Sequence, residues 1–252
     1  MRRPLIAGNW KMNGSRAMAV ALTEAMMAAS GGSGSVDVVL CPPAPYLNLV
    51  ASAAAGSALG VGAQDCSEFE SGAYTGETAA PMLRDVGCSH VIIGHSERRQ
   101  FFGDTDERIA AKIRQAYAAE LTVIFCVGET LEERQQNATE LIVARQLEAV
   151  TDQAEAPAIL GNTVIAYEPV WAIGTGESAA PDQAQGVHSL IRARLAKIDA
   201  QMAETARVLY GGSVKPENAV ELFAMPDIDG ALIGGASLAA ESFIAICRIA
   251  AS

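Results

Sequence analysis

Thr163-Val164-Ile165-Ala166-Tyr167-Glu168-Pro169 is a short β-prone run that ends on a carboxylate and is stopped at once by a proline. Pro169 cannot donate to a strand ladder, so the extended segment finishes before it. A small apolar loop follows, Val170-Trp171-Ala172-Ile173, closed by Gly174-Thr175-Gly176, which reads as a lid built to move as one piece. Pro181, tolerated in a first helical turn, then opens a helical segment predicted to reach Asp199. The unit is strand, loop, helix. Taken alone, Glu168 reads as an ordinary solvated charge, as most glutamates are. Its meaning depends on how often the unit recurs.

It recurs along the whole chain. Further β-rich runs are Leu5–Asn9, Val36–Cys41, Leu59–Gln64, His90–Gly94, Thr122–Val127, Arg207–Tyr210 and Ala231–Gly234, which with Thr163–Tyr167 make eight. Most are continuously apolar, as strands buried on both faces should be. Helical spacing between them is read at Ser15–Ala29, Thr105–Ala119, Asn137–Thr151 (through Leu141, Ala144, Leu147 and Val150), Pro216–Phe223 and Ser237–Ala250. Ser15 and Thr105 are suited to cap their helices. Strict alternation predicts an α/β fold with a parallel sheet, and eight units predict a closed (β/α)8 barrel. An open doubly wound sheet is the competitor, but its first turn needs Gly-x-Gly-x-x-Gly, and here that turn reads Gly8-Asn9-Trp10-Lys11-Met12-Asn13-Gly14. No composition break divides residues 1–252, so one domain is expected; Ser30-Gly31-Gly32-Ser33-Gly34-Ser35 reads as a plain loop on the strand N-terminal face.

The chain has 252 residues, half of them apolar, and a formal net charge of −11. No basic patch is visible, which argues against nucleic acid and anionic membranes as partners. An anionic substrate would have to be captured locally, because the global field opposes it. Five cysteines, Cys41, Cys66, Cys88, Cys126 and Cys247, are widely spaced with no Cys-x-x-Cys, so free thiols in a cytoplasmic setting are expected. The N-terminus lacks a signal-type apolar stretch, and no run reaches the ~18 apolar residues of a membrane span.

The polar residues obey one rule. Asn9 and Lys11 follow the first strand, His95, Ser96 and Glu97 the fourth, and Glu129 the fifth. Glu168 ends the sixth, Gly211-Gly212-Ser213 follows the seventh, and Gly234-Gly235 the eighth. In a closed barrel those C-terminal strand ends converge on one mouth. The paired glycines let backbone N–H groups approach a phosphate closely. Ser96-Glu97-Arg98-Arg99 opens a short helix whose N-terminus, aimed at His95, would disfavour imidazolium. No His, Cys or paired carboxylate stands at metal-ligand spacing, and Ser96 lacks a hydrolase-type triad. One carboxylate, one imidazole, one ammonium, a phosphate cradle and a lid, with no cofactor or metal, suit proton abstraction beside a carbonyl in a small phosphorylated molecule.

These stretches resemble the triosephosphate isomerase family. The likeness is carried by Gly8–Asn13, Gly62-Ala63-Gln64-Asp65, Ser71–Glu77, Gly94–Arg99, Cys126–Thr130, Ala166–Gly176, Tyr210–Ser213 and Leu232–Ala236, and it spans essentially the whole chain. The resemblance implies a TIM barrel that interconverts dihydroxyacetone phosphate and D-glyceraldehyde 3-phosphate through an enediolate, in glycolysis and gluconeogenesis. It makes Glu168 the base, His95 the neutral electrophile, and Lys11 with Asn9 the groups at the developing oxyanion. This division of acid and base work is a known pattern for that enzyme. Backbone N–H groups of Gly174, Ser213, Gly234 and Gly235 match the phosphate site. Glu97 matches a supporting residue or a structural partner for Lys11, and Cys126 reads as packing near the mouth. The loop tip Tyr74-Thr75-Gly76 resembles one that enters a second subunit, so a homodimer is implied. Glu177-Ser178-Ala179 departs from the usual lysine-containing far hinge of the lid, and Asp104 stands where the family often has Glu.

Two other classes stay open at this point. A different sugar-phosphate isomerase on the same barrel lacks the Glu168 lid with Asn9, Lys11 and His95. A non-catalytic descendant should have lost Glu168, His95 or Lys11, and all three are present.

Overall fold

Eight parallel strands close into a ring in sequence order in a computed structural model that describes residues 2–30, 34–151, 156–173 and 179–252. They are β1 (Leu5–Asn9), β2 (Asp37–Cys41), β3 (Gly60–Ala63), β4 (His90–Ile93), β5 (Thr122–Val127), β6 (Thr163–Tyr167), β7 (Val208–Tyr210) and β8 (Gly230–Ile233). Leu5 sits opposite Asp37 of β2 on one side and opposite Gly230 of β8 on the other, which closes the barrel. The expected (β/α)8 architecture is the one observed.

Helices cover the outside: α1 (Arg16–Ser30), α2 (Leu47–Ala54), α3 (Ala80–Asp85), α4 (Ser96–Phe102), α5 (Asp106–Ala118) and α6 (Leu131–Gln135). α7 (Thr139–Thr151), α8 (Ala156–Gly161), α9 (Pro181–Ala196), α10 (Ala200–Thr205), α11 (Pro216–Phe223) and α12 (Ala240–Ala250) complete them. Ser15 and Thr105 accept from the N–H groups of Met18 and Arg108 and so cap α1 and α5. The segment expected to run from Pro181 to Asp199 ends at Ala196. Asp199 instead caps α10, accepting from the Met202 N–H at 2.8 Å. The segment expected from Ser237 begins as a 3-10 turn over Gly235–Leu238 before α12. Gly31, Gly32 and Ser33 of the expected loop lie outside the described residues.

One expected face holds at three of its four positions: Ala144, Leu147 and Val150 are buried and Leu141 is not. Leu141 is 69% exposed, and α7 also turns Ile142, Val143 and Gln146 inward. The helix starts two residues later than the periodicity implies, so Leu141 sits in its first turn, away from the wall.

The period of two along each strand sets what stands at the mouth. Leu5, Ala7, Ile124, Cys126, Val164 and Ala166 belong to the cluster that fills the barrel. Ile6, Val91, Ile165 and Tyr167 belong to the larger core under the helices. Continuing the inward series one step beyond Ala7 gives Asn9, and beyond Ala166 it gives Glu168. The same step gives Gly128 after Cys126, Gly211 after Leu209 and Gly234 after Leu232. On these five strands the top of the interior is two polar side chains and three glycines, which is a floor for a ligand and not a packed core.

Candidate active site

Glu168 is 2% exposed, and its N–H donates to the Val127 carbonyl at 2.8 Å, extending the β5–β6 ladder by one residue. Its carboxylate accepts from the Ser96 N–H at 2.9 Å and from the Ser96 hydroxyl at 3.3 Å. His95 Nε2 lies 3.0 Å from Glu168 Oε1. The glycines beside it are required: a Cβ on Gly128 would fall 1.8 Å from the Glu168 carbonyl oxygen, and one on Gly211 2.9 Å from Glu168 Cγ. Cys126 lies beneath, fully buried. Burial first, then the Glu168 charge, pushes its thiol well above the ordinary range, so it packs and does not react.

His95 reaches Glu168 because Gly94 turns the chain with a φ of +78°. His95 then caps α4, its Nδ1 accepting from the Glu97 N–H at 3.2 Å. An accepting Nδ1 places the ring proton on Nε2, facing Glu168. Burial alone pulls the imidazole down, but the Glu168 charge and hydrogen bond outweigh it and raise its proton affinity. The helix N-terminus expected to disfavour imidazolium is in place, yet the adjacent carboxylate dominates in this arrangement. For Glu168 the signs reverse. Burial raises its pKa, while His95, the Ser96 N–H and Lys11 together hold it below the usual carboxylate value.

Lys11 adopts a φ of +53°, a left-handed conformation that costs a lysine about 1–3 kcal/mol. Its neighbours over-determine it. Its N–H donates to Asn9 Oδ1 at 3.0 Å, and its carbonyl accepts from Gln64 Nε2 at 3.0 Å. Gln64 also donates to the Cys41 carbonyl, tying the turn to β2. Lys11 Nζ meets Glu97 Oε1 at 2.5 Å, so Glu97 is the partner of Lys11 in this arrangement.

Asn9, Lys11, His95 and Glu168 line one side of a cleft of about 570 Å³. Gly211, Gly212, Ser213, Gly234 and Gly235 line the other, with Ile173 and Leu232 as apolar walls. Residues 4–250 match the family model described as triosephosphate isomerase. The chain belongs to the triosephosphate isomerase family. Triosephosphate isomerase from Alcanivorax borkumensis is 57% identical over 249 residues, 99% of each chain. That from Thiobacillus denitrificans is 55% identical over 251 residues, covering both chains fully. The crystal structure of triosephosphate isomerase from Bartonella henselae superposes with a TM-score of 0.89 at 40% identity, over 98% of each chain.

With the family known, the described ends of the lid can be placed. Trp171 Nε1 donates to Glu129 Oε1 at 3.1 Å, as do the Tyr167 hydroxyl and Arg134. The Arg134 guanidinium also lies 4.6 Å over the Trp171 ring. Glu129 is therefore not at the mouth, where its strand-end position predicted it. It is fully buried behind the lid and grips the near hinge. At the far hinge, the Ala179 N–H donates to the Tyr210 hydroxyl at 3.0 Å. A Cβ on Gly212 would fall 2.3 Å from that hydroxyl, so this glycine makes room for the hinge contact. Pro169, Val170, Trp171, Ala172 and Ile173 of the lid are described; Gly174, Thr175, Gly176, Glu177 and Ser178 lie outside the described residues.

The loop bearing Tyr74, Thr75 and Gly76 is exposed throughout. Tyr74 stacks on Phe69 with ring centroids 3.9 Å apart and planes within 2°. Asp104 is buried, with Oδ2 accepting from Arg98 at 3.0 Å and Lys112 at 2.8 Å. Its Oδ1 has no hydrogen-bond partner among the described residues. Sequence reasoning in this family member missed Ser96 as a holder of Glu168 and Tyr210 as a hinge partner. Only the placement of each beside a strand end hinted at them.

Proposed function

We propose that the cleft of this chain carries the family's reaction, the interconversion of dihydroxyacetone phosphate and D-glyceraldehyde 3-phosphate. What supports this reading is one observation: Glu168, His95, Lys11 and Asn9, from three different strand ends, face one cleft whose opposite wall is backbone of Ser213, Gly234 and Gly235. The phosphate docks on the N–H groups of that wall, joined by Gly174 when the lid closes. Lys11 and Asn9 hold the substrate oxygen where negative charge develops. His95 polarises the carbonyl from Nε2–H and moves protons between the enediolate oxygens, and Glu168 moves the proton between carbons 1 and 2.

The resting contacts of Glu168 define what must change. Held by Ser96 and His95, the carboxylate is a weak base. Substrate entry draws it from the Ser96 N–H, and closing the lid over it removes water, so its basicity rises when the carbon acid is in place. The same departure takes a negative charge from His95. Lys11 and the α4 N-terminus then remain, and both favour the neutral ring. A neutral imidazole is matched in acidity to the enediolate it protonates.

A homodimer in the cytoplasm belongs to the same proposal. Met12 is 96% exposed, and Phe101, Phe102 and Met82 are each more than half exposed, an apolar set without cover in one chain. Beside Met12 a hollow of about 290 Å³ is lined by Lys11, Gln64, Asp65 and Arg98 and by Gly76 and Glu77 of the chain's own loop, and it is the place offered to the Thr75 loop of a second copy. All five cysteines are free and buried, which fits a reducing compartment.

The test is a coupled assay on the purified protein. Turnover of dihydroxyacetone phosphate is expected, with competitive inhibition by a phosphoglycolate-type anion that weakens when Gly234 is substituted. No turnover refutes the isomerase reading. For the dimer, sedimentation at micromolar concentration should give twice the chain mass, and a fully active monomer would refute it.

A further inference from the structure

α7 presses Ile142, Val143, Leu147 and Val150 against the barrel wall, and among them buries one amide side chain, Gln146, at 4% exposure. A buried amide is costly unless both of its ends are paired. Both are, and by the same residue. The Gly128 N–H donates to Gln146 Oε1 at 2.8 Å, and Gln146 Nε2 donates to the Gly128 carbonyl at 3.1 Å.

The two bonds fix two successive peptide planes. The Val127–Gly128 plane carries, on its other edge, the carbonyl that accepts the Glu168 N–H at 2.8 Å. The Gly128–Glu129 plane leads into the carbonyl that accepts the Val170 N–H at 3.1 Å. Gly128 itself lies hard against the Glu168 backbone, as its missing Cβ shows. Gln146 thus clamps the segment at the end of β5 whose carbonyls accept from both Glu168 and Val170 at the start of the lid. Beyond Val127 the regular strand ends, and among the described residues the Gly128 N–H and carbonyl find their hydrogen-bond partner in Gln146.

We propose that Gln146 is a positioning residue for Glu168: it sets the plane from which the base hangs, and through Val170 the take-off angle of the lid. This rests on the isomerase reading above. A residue that only fills the wall could be replaced by leucine without effect on chemistry. A positioning residue could not, because misplacing a base by about 1 Å costs up to about 100-fold in rate.

The experiment compares wild type, Gln146→Leu and Gln146→Glu in the coupled assay across pH, alongside phosphoglycolate inhibition and thermal melts. Gln146→Leu should lose kcat by about tenfold to 100-fold, with KM and inhibitor affinity within about threefold of wild type, since phosphate contacts are untouched. Its acid limb of kcat/KM should move to higher pH, because Glu168 is no longer aligned on the Ser96 N–H. Gln146→Glu keeps the acceptor for the Gly128 N–H but loses the donor, so its loss should be intermediate. Wild-type kcat and pH profile in Gln146→Leu would overturn the proposal, as would kcat and inhibitor affinity falling together with the folded fraction. If Gln146→Leu does not fold, an unchanged profile in Gln146→Glu overturns it. An inactive wild type defeats the isomerase reading and this inference with it; an active wild type with unaltered variants defeats this inference alone.

Discussion

At the base of the barrel, Asp229 is held by Arg2 at 2.5 Å, Arg192 at 2.8 Å and the Val208 N–H at 2.9 Å. At the mouth, Glu168 is held by the Ser96 N–H and hydroxyl and by His95. Both carboxylates are buried and both are satisfied. They differ in who holds them. Two guanidinium groups grip Asp229, and Arg192 is itself pinned to Asp227 and to the carbonyls of Ala203 and Ala206. Charge-assisted bonds of that kind are about twice as strong as neutral ones. Among the described residues no arginine is paired with Glu168; a backbone amide, a hydroxyl and a ring that can be neutral hold it. The base is locked by permanent charge. The mouth is satisfied by donors weak enough for a substrate to displace.

Glu168→Gln is the sharpest way to break this contrast. The amide fits the Ser96 cradle, so melting should stay near wild type and inhibitor binding should persist. Isomerisation should fall by about 10³–10⁴-fold, the scale of losing a general base with its site intact. Coupled assays beside thermal melts check it, and near-normal turnover would remove Glu168 from the mechanism.

Asp229→Ala should behave in the opposite way. It leaves Arg192 and the Val208 N–H facing a buried gap, and breaking a buried pair from one side costs about 3–5 kcal/mol. Denaturant midpoints should fall accordingly, while kcat of the remaining folded protein stays unchanged. A loss of kcat without a loss of stability would show that the base is not the inert end described above.

The barrel was largely readable from the chain because a doubly buried strand announces itself as a short apolar run. All eight predicted strands start and end within one residue of the observed ones. Leu59–Gln64 was trimmed at both ends, to Gly60–Ala63. Five of the short helices were not readable, although α4 and α11 were marked by Ser96 and Pro216 at their starts. α2, α3, α6, α8 and α10 are of five to eight residues, too short to complete the turns that make a period visible. The same division runs through the site. Glu168, His95, Lys11 and Asn9 were found because their types stand at strand ends. Ser96, Tyr210 and Gln146 were not assigned these contacts because their partners are far away in sequence: the Glu168 carboxylate for Ser96, the Ala179 N–H for Tyr210, and for Gln146 the backbone of Gly128, 18 positions away. Glu129 obeyed the strand-end rule and still faces the lid hinge, since the rule places a residue at the rim without saying which way it points.

The smallest effect bears on the three histidines. Burial first, with Arg207 adding to it, pushes His90 near the base down to about 4, and burial does the same to His188. Burial also acts on His95, but there the Glu168 charge reverses the sign and the shift is upward. The consequences for stability are opposite. Unfolded histidine titrates near ~6.5. His90 and His188 therefore contribute stability that is complete above that pH and is lost as pH falls from there toward about 4, where the unfolded chain binds protons that the folded one refuses. His95 contributes stability below its unfolded pKa that is lost as pH rises through its higher folded value. Imidazole proton resonances followed across pH should show His90 and His188 titrating together in the acid range and His95 well above them. In Glu168→Gln the carboxylate charge is gone and only burial, the α4 N-terminus and Lys11 act on the ring against Glu97. His95 should then move down toward the other two, while His90 and His188 stay where they are. A His95 titration indifferent to Glu168→Gln would mean that the two groups are not coupled at rest, and the mouth would be held together by the Ser96 contacts alone.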